Sequence, residues 1–358
     1  MHVLQALAAQ PLPGAQVTLV SPFSRQMYSG MVPGLVAGHY TVEDCVIPLP
    51  PLAQRAGVTW VESSVVALDA VRREATLADG RVLGYDVLSL DTGPVMNRDL
   101  IEGAREHALC VRPIERFVTL WEAVRDLSEQ RSLNVAVVGG GAAGVELALA
   151  MQYRLGERAR VSLVTGGAAP LAAYAPGVQR RVAAALRRDR ITVLEDRCER
   201  IDAESITLGR GTRVACDAPV LALGASAPHW LAASGLALDQ QGFVATGATL
   251  QSTSHPEVFA AGDVASRTDR AVPRSGVYAV RAGPPLALNL RRHLAGGALE
   301  PYIPQRRSLN LLACGRRDAI ASWGAWSAQG AWVWRWKDRI DRGFIARYAA
   351  GAEQAAQS

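Results

Sequence analysis

One stretch in the middle of the chain, NVAVVGGGAAGVELALAM at residues 134–151, constrains the fold more than any other. The run VAVV has the composition of a buried parallel strand, and VELALAM continues as an apolar helix. Between them, Gly139, Gly141 and Gly144 satisfy the spacing G-x-G-x-x-G. The first glycine permits a tight turn, the second lets the backbone approach a pyrophosphate, and the third allows close helix–strand contact. With a second strand predicted at residues 161–164, the pattern predicts a dinucleotide-binding βαβ unit.

The position that selects between the two nicotinamide nucleotides departs from the usual pattern. In such units the second strand ends in Asp or Glu, which binds the ribose 2′-hydroxyl of NADH, or an Arg nearby binds the 2′-phosphate of NADPH. Here the strand ends in Thr165, which is followed by Gly166 and Gly167, and no Arg follows immediately. Thr165 is a candidate contact, and the choice between NADH and NADPH stays open.

The chain carries one arrangement of segments twice. Residues 75–93 (ATLADGRVLGYDVLSLDTG) and 206–225 (ITLGRGTRVACDAPVLALGA) each contain two alternating strands around a Gly turn. In each copy an acidic residue, Asp86 or Asp217, then enters an apolar strand. A duplicated dinucleotide-binding domain explains this doubling, and chance similarity of two β-meanders is the alternative. The residues that end these strands are candidate cofactor contacts: Thr92 and Gly93 in the first copy and Gly224 in the second.

A further candidate site lies in the string TSHPEVFAAGDVAS, which contains Gly262 and Asp263. An Asp on a tight turn at a strand end suits a hydrogen bond to a sugar-alcohol hydroxyl, and simple capping of the turn is the alternative. Farther along, Ser275 and Gly276 begin a predicted helix, with Arg274 beside them. The N-terminus of that helix can stabilise negative charge on an electron-rich ring.

Together these features resemble the pyridine nucleotide-disulfide oxidoreductase superfamily, in its type II NADH dehydrogenase-like branch. Three more strings, YSGMVPGLVAGHY, GVYAVRAGPPLALNL and WRWKDRIDRGFIARY, resemble flavoproteins fused to or encoded beside selenophosphate synthase. The resemblance covers essentially the whole chain. It implies FAD and NAD(P)H as cofactors, with hydride passing from nicotinamide to flavin. It also implies which cofactor each candidate contact binds. The contacts for NAD(P)H are Gly139, Gly141, Gly144, Thr165 and Gly224, and those for FAD are Thr92, Gly93, Gly262, Asp263, Ser275 and Gly276.

The N-terminal string MHVLQALAAQPLPGAQVTLVSP contains a helix, a turn and an apolar strand, which is the second half of a βαβ unit. In the subfamily that the chain resembles, a strand and a glycine-rich loop ending in His-x-His-Val come first, and His2-Val3 matches the end of that loop. We therefore expect a chain truncated inside the FAD pyrophosphate loop, without the first strand. His2 is then a candidate FAD contact, and Ser21 stands where an acidic residue commonly holds the FAD ribose.

Hydride transfer between two cofactors needs few protein side chains, so the catalytic candidates are limited to Glu146 and Arg274. The resemblance places Glu146 on the nicotinamide side. The alternative is an acid that complements the dipole at the start of its helix.

Composition narrows the classes of function and partner. The chain has 49% hydrophobic and 20% charged residues and a net charge of +5, and its scattered basic residues lack the aromatic-basic pattern of a nucleic-acid groove. Its five cysteines form no C-x-x-C pair, which disfavours a redox dithiol and favours a cytoplasmic, reducing compartment. Cys314 alone is placed to suggest sulfide:quinone chemistry, and a buried apolar thiol is the alternative. No metal site is predicted.

The C-terminal segment is rich in tryptophan and arginine, and five of the eight tryptophans lie within residues 323–336. Apolar residues recur there at helical spacing, with basic residues on the other faces: Val333, Trp336, Ile340, Phe344 and Tyr348 against Arg335, Lys337, Arg339, Arg342 and Arg347. An amphipathic helix of this kind over residues 332–348 suits peripheral contact with the inner face of the cell membrane and a quinone acceptor. Packing against the body of the enzyme or against a homodimer partner is the alternative.

These observations predict an α/β fold with two Rossmann-like, three-layer ββα domains and a C-terminal α+β segment. The predicted domains are residues 1–115 with 245–300 for FAD, 116–244 for NAD(P)H, and 301–358 for interface or membrane contact. The predicted function is FAD-dependent NAD(P)H oxidation with a quinone or another small acceptor. The alternatives are a nucleotide-binding scaffold that has lost FAD and a sulfide:quinone oxidoreductase-like enzyme. A link to selenophosphate synthase follows from the resemblance alone.

Overall fold

Parallel sheets covered by helices organise the protein, and the computed structural model describes residues 1–349. The first part of the chain contains short strands and three helices: α1 (His2–Ala9), β1 (Thr18–Ser21), β2 (Arg25–Met27), α2 (Val32–Val36), β3 (Val46–Pro48), α3 (Leu49–Arg55), β4 (Thr59–Glu62), β5 (Val65–Asp69), β6 (Glu74–Leu77), β7 (Val82–Gly84) and β8 (Leu88–Leu90). The predicted helix and strand at the N-terminus are both present, as α1 and β1.

The middle of the chain forms a five-stranded parallel sheet in the order β12-β11-β10-β16-β9. Its elements are α4 (Ala104–His107), β9 (Leu109–Cys110), α5 (Ile114–Gln130), β10 (Leu133–Val138), α6 (Ala142–Leu155), β11 (Ala159–Val164), α7 (Pro176–Arg188), β12 (Thr192–Leu194), β13 (Cys198–Ile201), β14 (Ser205–Leu208), β15 (Arg213–Ala215) and β16 (Ala218–Leu221). The central strand β10 is apolar and almost wholly buried, as expected for a parallel strand covered on both faces.

In the last part of the chain, one strand pairs with β8 of the first part, and three further strands form a separate small sheet. Its elements are β17 (Val244–Thr246), β18 (Val258–Ala260), β19 (Ala265–Arg267), α8 (Gly276–Leu294), β20 (Asn310–Ala313), β21 (Ala319–Trp323), β22 (Trp326–Gly330) and α9 (Ala331–Ala349). Strands β20, β21 and β22 form an antiparallel sheet that packs with α9. The predicted segment 301–358 thus contains strands and a helix, and its residues 350–358 lie outside the described part of the chain.

Each half of the duplication contains an antiparallel meander next to parallel strands. The meanders are β5-β6-β7 and β13-β14-β15, and the parallel strand that follows each of them is β8 or β16. Each meander therefore has one strand more than the two that the sequence strings suggested. The predicted α/β fold class, with doubled Rossmann-like units, is confirmed by this arrangement.

The parallel strands of the first unit form two separate pairs, β4-β1 and β8-β18. In the middle unit the corresponding pairs, β12-β11 and β16-β9, are joined because β10 lies between them and bonds both. No strand among residues 1–349 occupies the equivalent of β10 in the first unit.

Helix α9 is amphipathic in a different way from the predicted one. Its buried positions are Val333, Lys337, Asp341 and Tyr348, whereas Trp336 and Ile340 are exposed. Lys337, predicted to lie on a different face from the apolar residues, is instead buried along with Val333. Its Nζ donates to Asp341 Oδ2 and to the Gly30 carbonyl oxygen, both at 2.6 Å, so its charge is paired inside the protein. Removing one member of such a buried pair leaves the other charge unpaired, at a cost of about 3–5 kcal/mol.

Candidate active site

The glycine loop between β10 and α6 is shaped by contacts that only glycine allows. Gly139 has φ +139°, and a Cβ at this position would collide with the carbonyl oxygen of Ala222. A Cβ on Gly144 would collide with the carbonyl oxygen of Gly139, so the first turn of α6 lies directly against the end of β10. Gly141, the N-cap of α6, has φ −77°, and nothing lies within 4 Å of a Cβ added there. The open space at Gly141 and the helix N-terminus behind it, together called the cradle, suit a phosphate group.

The other predicted nucleotide contacts lie at the same edge of the sheet. Thr165 follows β11 directly, and its hydroxyl donates to the Ala168 carbonyl oxygen. Gly224 follows β16 by three residues and has open space around it. Since the carboxyl ends of parallel strands meet at one edge, the glycine loop, Thr165 and Gly224 share the crevice where ligands bind in such folds.

The Gly262–Asp263 turn follows β18 and lies beside the end of β8. Gly262 has φ +70°, and a Cβ there would contact Asp91 Oδ1, one residue after β8. Asp263 Oδ2 lies 3.9 Å from Nη2 of Arg112. Burial raises the pKa of Asp263, and the positive charges of Arg112 and Arg274 oppose that rise. The predicted contacts Thr92 and Gly93 follow Asp91, and Gly93 turns the chain with φ +69°.

Arg274 is held in place next to the start of α8. Its Nη2 forms an ion pair with Asp239 at 3.1 Å, its Nη1 donates to Gln241 Oε1 at 3.0 Å, and its guanidinium lies 3.6 Å from the centre of the Phe243 ring. Ser275 is the N-cap of α8, and its hydroxyl makes no capping bond. The contacts favour a role for Arg274 in positioning the helix and its N-terminus.

A narrow cleft lies beside this helix N-terminus. Its lining combines apolar residues with Gly262, Asp263, Arg267, Arg274 and Tyr302. The helix N-terminus, the carboxylate of Asp263 and the arginines therefore face one space, which suits a ligand that has both hydroxyl groups and negative charge.

His2 and Ser21 are engaged in local packing. His2 begins α1 and lies against Gly283 of α8, where a Cβ would collide with the imidazole ring. Burial lowers the pKa of His2, and its Nε2 has no hydrogen-bond partner among the described residues. The Ser21 hydroxyl donates to the Phe23 carbonyl oxygen at 3.0 Å. The hydroxyl thus closes a turn at the end of β1.

Glu146 lies in the second turn of α6, and the first turn contains no acidic residue. Its Oε1 accepts a hydrogen bond of 2.7 Å from the backbone N–H of Ala313, at the end of β20. Burial raises the pKa of Glu146 to about 7, although the charge of Lys337 and the bond from Ala313 favour the ionised form. Glu146 thus joins the nucleotide unit to the C-terminal sheet, a contact between residues 167 positions apart that no local sequence signal could reveal.

Cys314, the next residue after β20, is buried. Burial raises the pKa of its thiol well above the usual value, which leaves it protonated and a weak nucleophile at neutral pH.

Among residues 1–349, no group of three or more His, Cys, Asp or Glu side chains is placed to hold a metal ion.

Comparison with known proteins gives the family. The sequence pattern of the pyridine nucleotide-disulphide oxidoreductase family matches residues 2–283, which is most of the chain. The chain belongs to this family. A similar protein, the demethylphylloquinone reductase NdbB of Synechocystis, is 25% identical over 320 residues, which are 86% of this chain and 79% of that protein.

Solved structures of other oxidoreductases share the fold of this family member. The sulfide:quinone oxidoreductase of Aquifex aeolicus superposes with a TM-score of 0.80 at 17% identity, covering 98% of this chain and 89% of the other. NDH2 of Plasmodium falciparum in complex with NADH superposes with a TM-score of 0.79 at 14% identity, covering 96% and 95%. At these identities the likeness establishes the fold.

This family member is an FAD-dependent oxidoreductase that uses NAD(P)H, as the sequence analysis predicted. The residues present fit the nicotinamide nucleotide well, because the cradle at Gly139–Gly144 leaves open backbone at a helix N-terminus. They fit the flavin end of FAD through Asp263 and the N-terminus of α8. A glycine loop for the FAD pyrophosphate is not among the described residues.

Two alanine substitutions in one loop separate packing from ligand binding. We expect Gly144→Ala to lower the free energy of unfolding by about 1–3 kcal/mol, because the new methyl group meets the Gly139 carbonyl. We expect Gly141→Ala to leave stability nearly unchanged, because its methyl group meets open space, and to weaken NAD(P)H binding by occupying the phosphate cradle. Urea unfolding and calorimetric titration measure the two effects. Equal nucleotide affinity in Gly141→Ala and the unsubstituted protein would contradict the assignment of the cradle.

Proposed function

We propose that this protein oxidises NAD(P)H and delivers the electrons to a quinone, with Glu146 exchanging a proton with the quinone. The observation that carries the proposal is the position of Glu146, a mostly buried carboxyl group with a pKa near 7, between the nucleotide cradle and the C-terminal sheet. Bound FAD would supply the redox chemistry by taking up hydride and passing on electrons. The protein then has to place the reactants and to supply protons.

A quinone acceptor accounts for a protonatable group in this place. Reduction of a quinone to a quinol consumes two protons for two electrons, so an acid that titrates near neutral pH is suited to the step. The name of the Synechocystis relative states that it reduces demethylphylloquinone, which supports the same class of acceptor. The raised pKa of the Cys314 thiol gives no support to sulfide chemistry at that residue.

Glu146 is held in a fixed position by groups from two other elements. The N–H of Ala313 fixes one carboxylate oxygen, and Lys337 on α9 supplies a nearby positive charge. Lys337 itself is held by Asp341 and by the Gly30 carbonyl oxygen. These contacts hold the carboxyl group of Glu146 in one place, as a group that exchanges protons with a bound acceptor requires.

We expect Glu146→Gln to lower the rate of NAD(P)H-dependent quinone reduction about tenfold or more, because an amide cannot supply a proton. Reduction of ferricyanide, which takes up electrons without protons, should change little. The quinone rate of the unsubstituted protein should also fall as pH rises through about 7, because Glu146 loses its proton there, and the variant should lack that step. Steady-state absorbance assays with both acceptors measure these rates.

Glu157→Gln, a change at an exposed glutamate just after α6, is the matched control. If Glu146→Gln loses both activities equally, Glu146 is structural and the proton-exchange role is wrong. If protein that contains FAD reduces neither acceptor, NAD(P)H-dependent quinone reduction is wrong; protein that takes up no FAD would favour the nucleotide-binding scaffold.

The exposed aromatic face of α9 supports peripheral membrane contact. Trp332, Trp336 and Ile340 follow one another at helical spacing and are 47%, 38% and 43% exposed, and the two indole rings stack at 6.3 Å. Arg335 and Arg339, also exposed, lie between them along the helix. Aromatic and cationic side chains on one exposed surface suit the interface of an anionic bilayer, where a quinone dissolves. No helix in residues 1–349 is both long enough and apolar enough to span a membrane.

We expect the double variant Trp332→Ser, Trp336→Ser to lose binding to phosphatidylglycerol vesicles, since it removes the aromatic anchors and leaves the arginines. The change Leu288→Ser, Leu294→Ser, at two exposed leucines of α8, should not alter binding. Vesicle sedimentation measures the bound fraction. Unaltered binding of the tryptophan variant would overturn membrane contact through α9, and a dimer that this variant dissociates would assign the face to a second copy of the chain.

The divided sheet of the first unit supports the proposal that a strand from residues preceding Met1 completes it. The pairs β4-β1 and β8-β18 match the pairs that β10 joins in the middle unit, so the added strand would lie between β1 and β8. Met1, which immediately precedes α1, lies close to Asp91, the residue that follows β8. Helix α1 therefore begins near the carboxyl end of β8, where a helix following such a strand begins.

This proposal has a direct test in the coding sequence and in flavin content. A strand followed by a glycine-rich loop, encoded in frame upstream, should raise the FAD content of the purified protein when it is included. An upstream sequence without that pattern contradicts the proposal.

The subfamily resemblance adds the proposal that the enzyme acts in selenium metabolism together with selenophosphate synthase. Co-purification of the two proteins would support it, and normal selenophosphate formation without this protein would argue against it.

A further inference from the structure

The ribose end of the nucleotide site lacks the carboxylate that selects NADH. Thr165 stands at the end of β11, and its hydroxyl is already used in a hydrogen bond to the Ala168 carbonyl oxygen. An Asp or Glu at this position would accept hydrogen bonds from the ribose hydroxyls and would repel a 2′-phosphate. The site therefore has neither the attraction for NADH nor the repulsion of NADPH that such a residue provides.

The turn after Thr165 leaves room for an additional phosphate. Gly166 and Gly167 have φ +78° and +92°, and nothing lies within 4 Å of a Cβ at either residue. Residues 166–169 are all exposed. A group larger than a hydroxyl can therefore occupy the space beside the turn without displacing side chains.

A basic residue, Arg197, belongs to the loop that runs beside this turn. The N–H of Gly166 donates to the Asp196 carbonyl oxygen at 2.9 Å, so the loop containing Arg197 runs beside the turn. The backbone of Arg197 is fixed on both sides, because its N–H donates to Asp196 Oδ1 and its carbonyl oxygen accepts from Gly209 N–H. Its side chain is exposed, and no acidic side chain within residues 1–349 forms an ion pair with it.

Two acidic residues precede Arg197, and they differ in whether their carboxylates accept hydrogen bonds. The carboxylate of Asp196 accepts from the backbone N–H groups of Arg197 and Arg210, and it lies 3.1 Å from the position of a Cβ on Gly209. It is thus turned toward the β14–β15 turn. Glu195 is exposed in the same loop, and its charge opposes that of Arg197. Arg197 in this loop and Arg210 in the β14–β15 turn are both exposed cations, and Arg197 is the one that directly follows the residue bonded to Gly166.

We infer that the nucleotide site accepts the 2′-phosphate of NADPH, with Arg197 as its cationic contact. The inference rests on the proposed function, because it names which reduced nucleotide feeds the same hydride transfer. A guanidinium forms strong, charge-assisted hydrogen bonds with a phosphate, and the loop that contains Arg197 is hydrogen-bonded to Gly166, beside the open space at Gly166 and Gly167.

Calorimetric titration of the purified full chain with NADP⁺ and with NAD⁺ tests the inference, because neither oxidised nucleotide reacts. We expect NADP⁺ to bind more tightly than NAD⁺, by about tenfold for one charge-assisted phosphate contact. Arg197→Ala should remove that difference and leave NAD⁺ affinity unchanged. Thr165→Glu should reverse the preference. Arg160→Ala, an exposed arginine at the opposite end of β11, is the matched control and should change neither affinity.

The outcomes separate this inference from the function that it extends. Tighter binding of NAD⁺ in the unsubstituted protein, or an Arg197→Ala variant that keeps the preference for NADP⁺, overturns the inference and leaves NADH-dependent quinone reduction intact. Failure of both nucleotides to bind overturns the inference and the proposed function together. A rise in NADP⁺ affinity in Glu195→Gln, with no response to Arg197→Ala, would show that the loop charge acts only through Glu195 and would also overturn the role of Arg197.

Discussion

The close contact between the first turn of α6 and the end of β10 is the constraint on which the rest of the structure depends. Gly144 lies against the carbonyl group of Gly139, and Gly139 in turn lies against that of Ala222. With a side chain at either position, the helix would have to move away from the sheet. Its N-terminus would then no longer face the crevice at the carboxyl ends of β10, β11 and β16, where the nucleotide phosphates bind in this family.

The same helix carries Glu146 to the C-terminal part of the protein. One oxygen of this side chain bonds β20, and Lys337 of α9 lies close enough to influence its pKa. The buried pair of Lys337 and Asp341 holds α9 against the segment around Gly30, and the other face of α9 exposes tryptophans. Helix α9 therefore links Glu146, through Lys337, to an exposed aromatic surface that suits a membrane. This arrangement is the basis of the proposed proton exchange with a quinone at a membrane surface.

Much of the architecture follows from local sequence. The spacing of Gly139, Gly141 and Gly144 predicts the junction between β10 and α6, because a tight turn and a close helix–strand contact each need a glycine at a fixed position. The two meander strings predict the doubled unit. The inward orientation of Lys337 and Asp341 could not be predicted, because their burial depends on a carbonyl group 307 residues away in sequence. A helical pattern read by hydrophobicity alone put Val333, Trp336 and Ile340 on one face, whereas the structure buries Val333 and exposes the other two. Likewise, the loop that contains Arg197 lies beside Gly166 only because β11 pairs with β12, a pairing that no local sequence signal reveals.

The central claim is that the two units bring a reduced nicotinamide against a bound flavin. Rapid anaerobic mixing of the purified, FAD-containing protein with NADPH or NADH, without any quinone, tests it most directly. The account predicts loss of the oxidised flavin absorbance at a rate that saturates with nucleotide concentration. Flavin that stays oxidised in protein shown to bind both FAD and the nucleotide would contradict it.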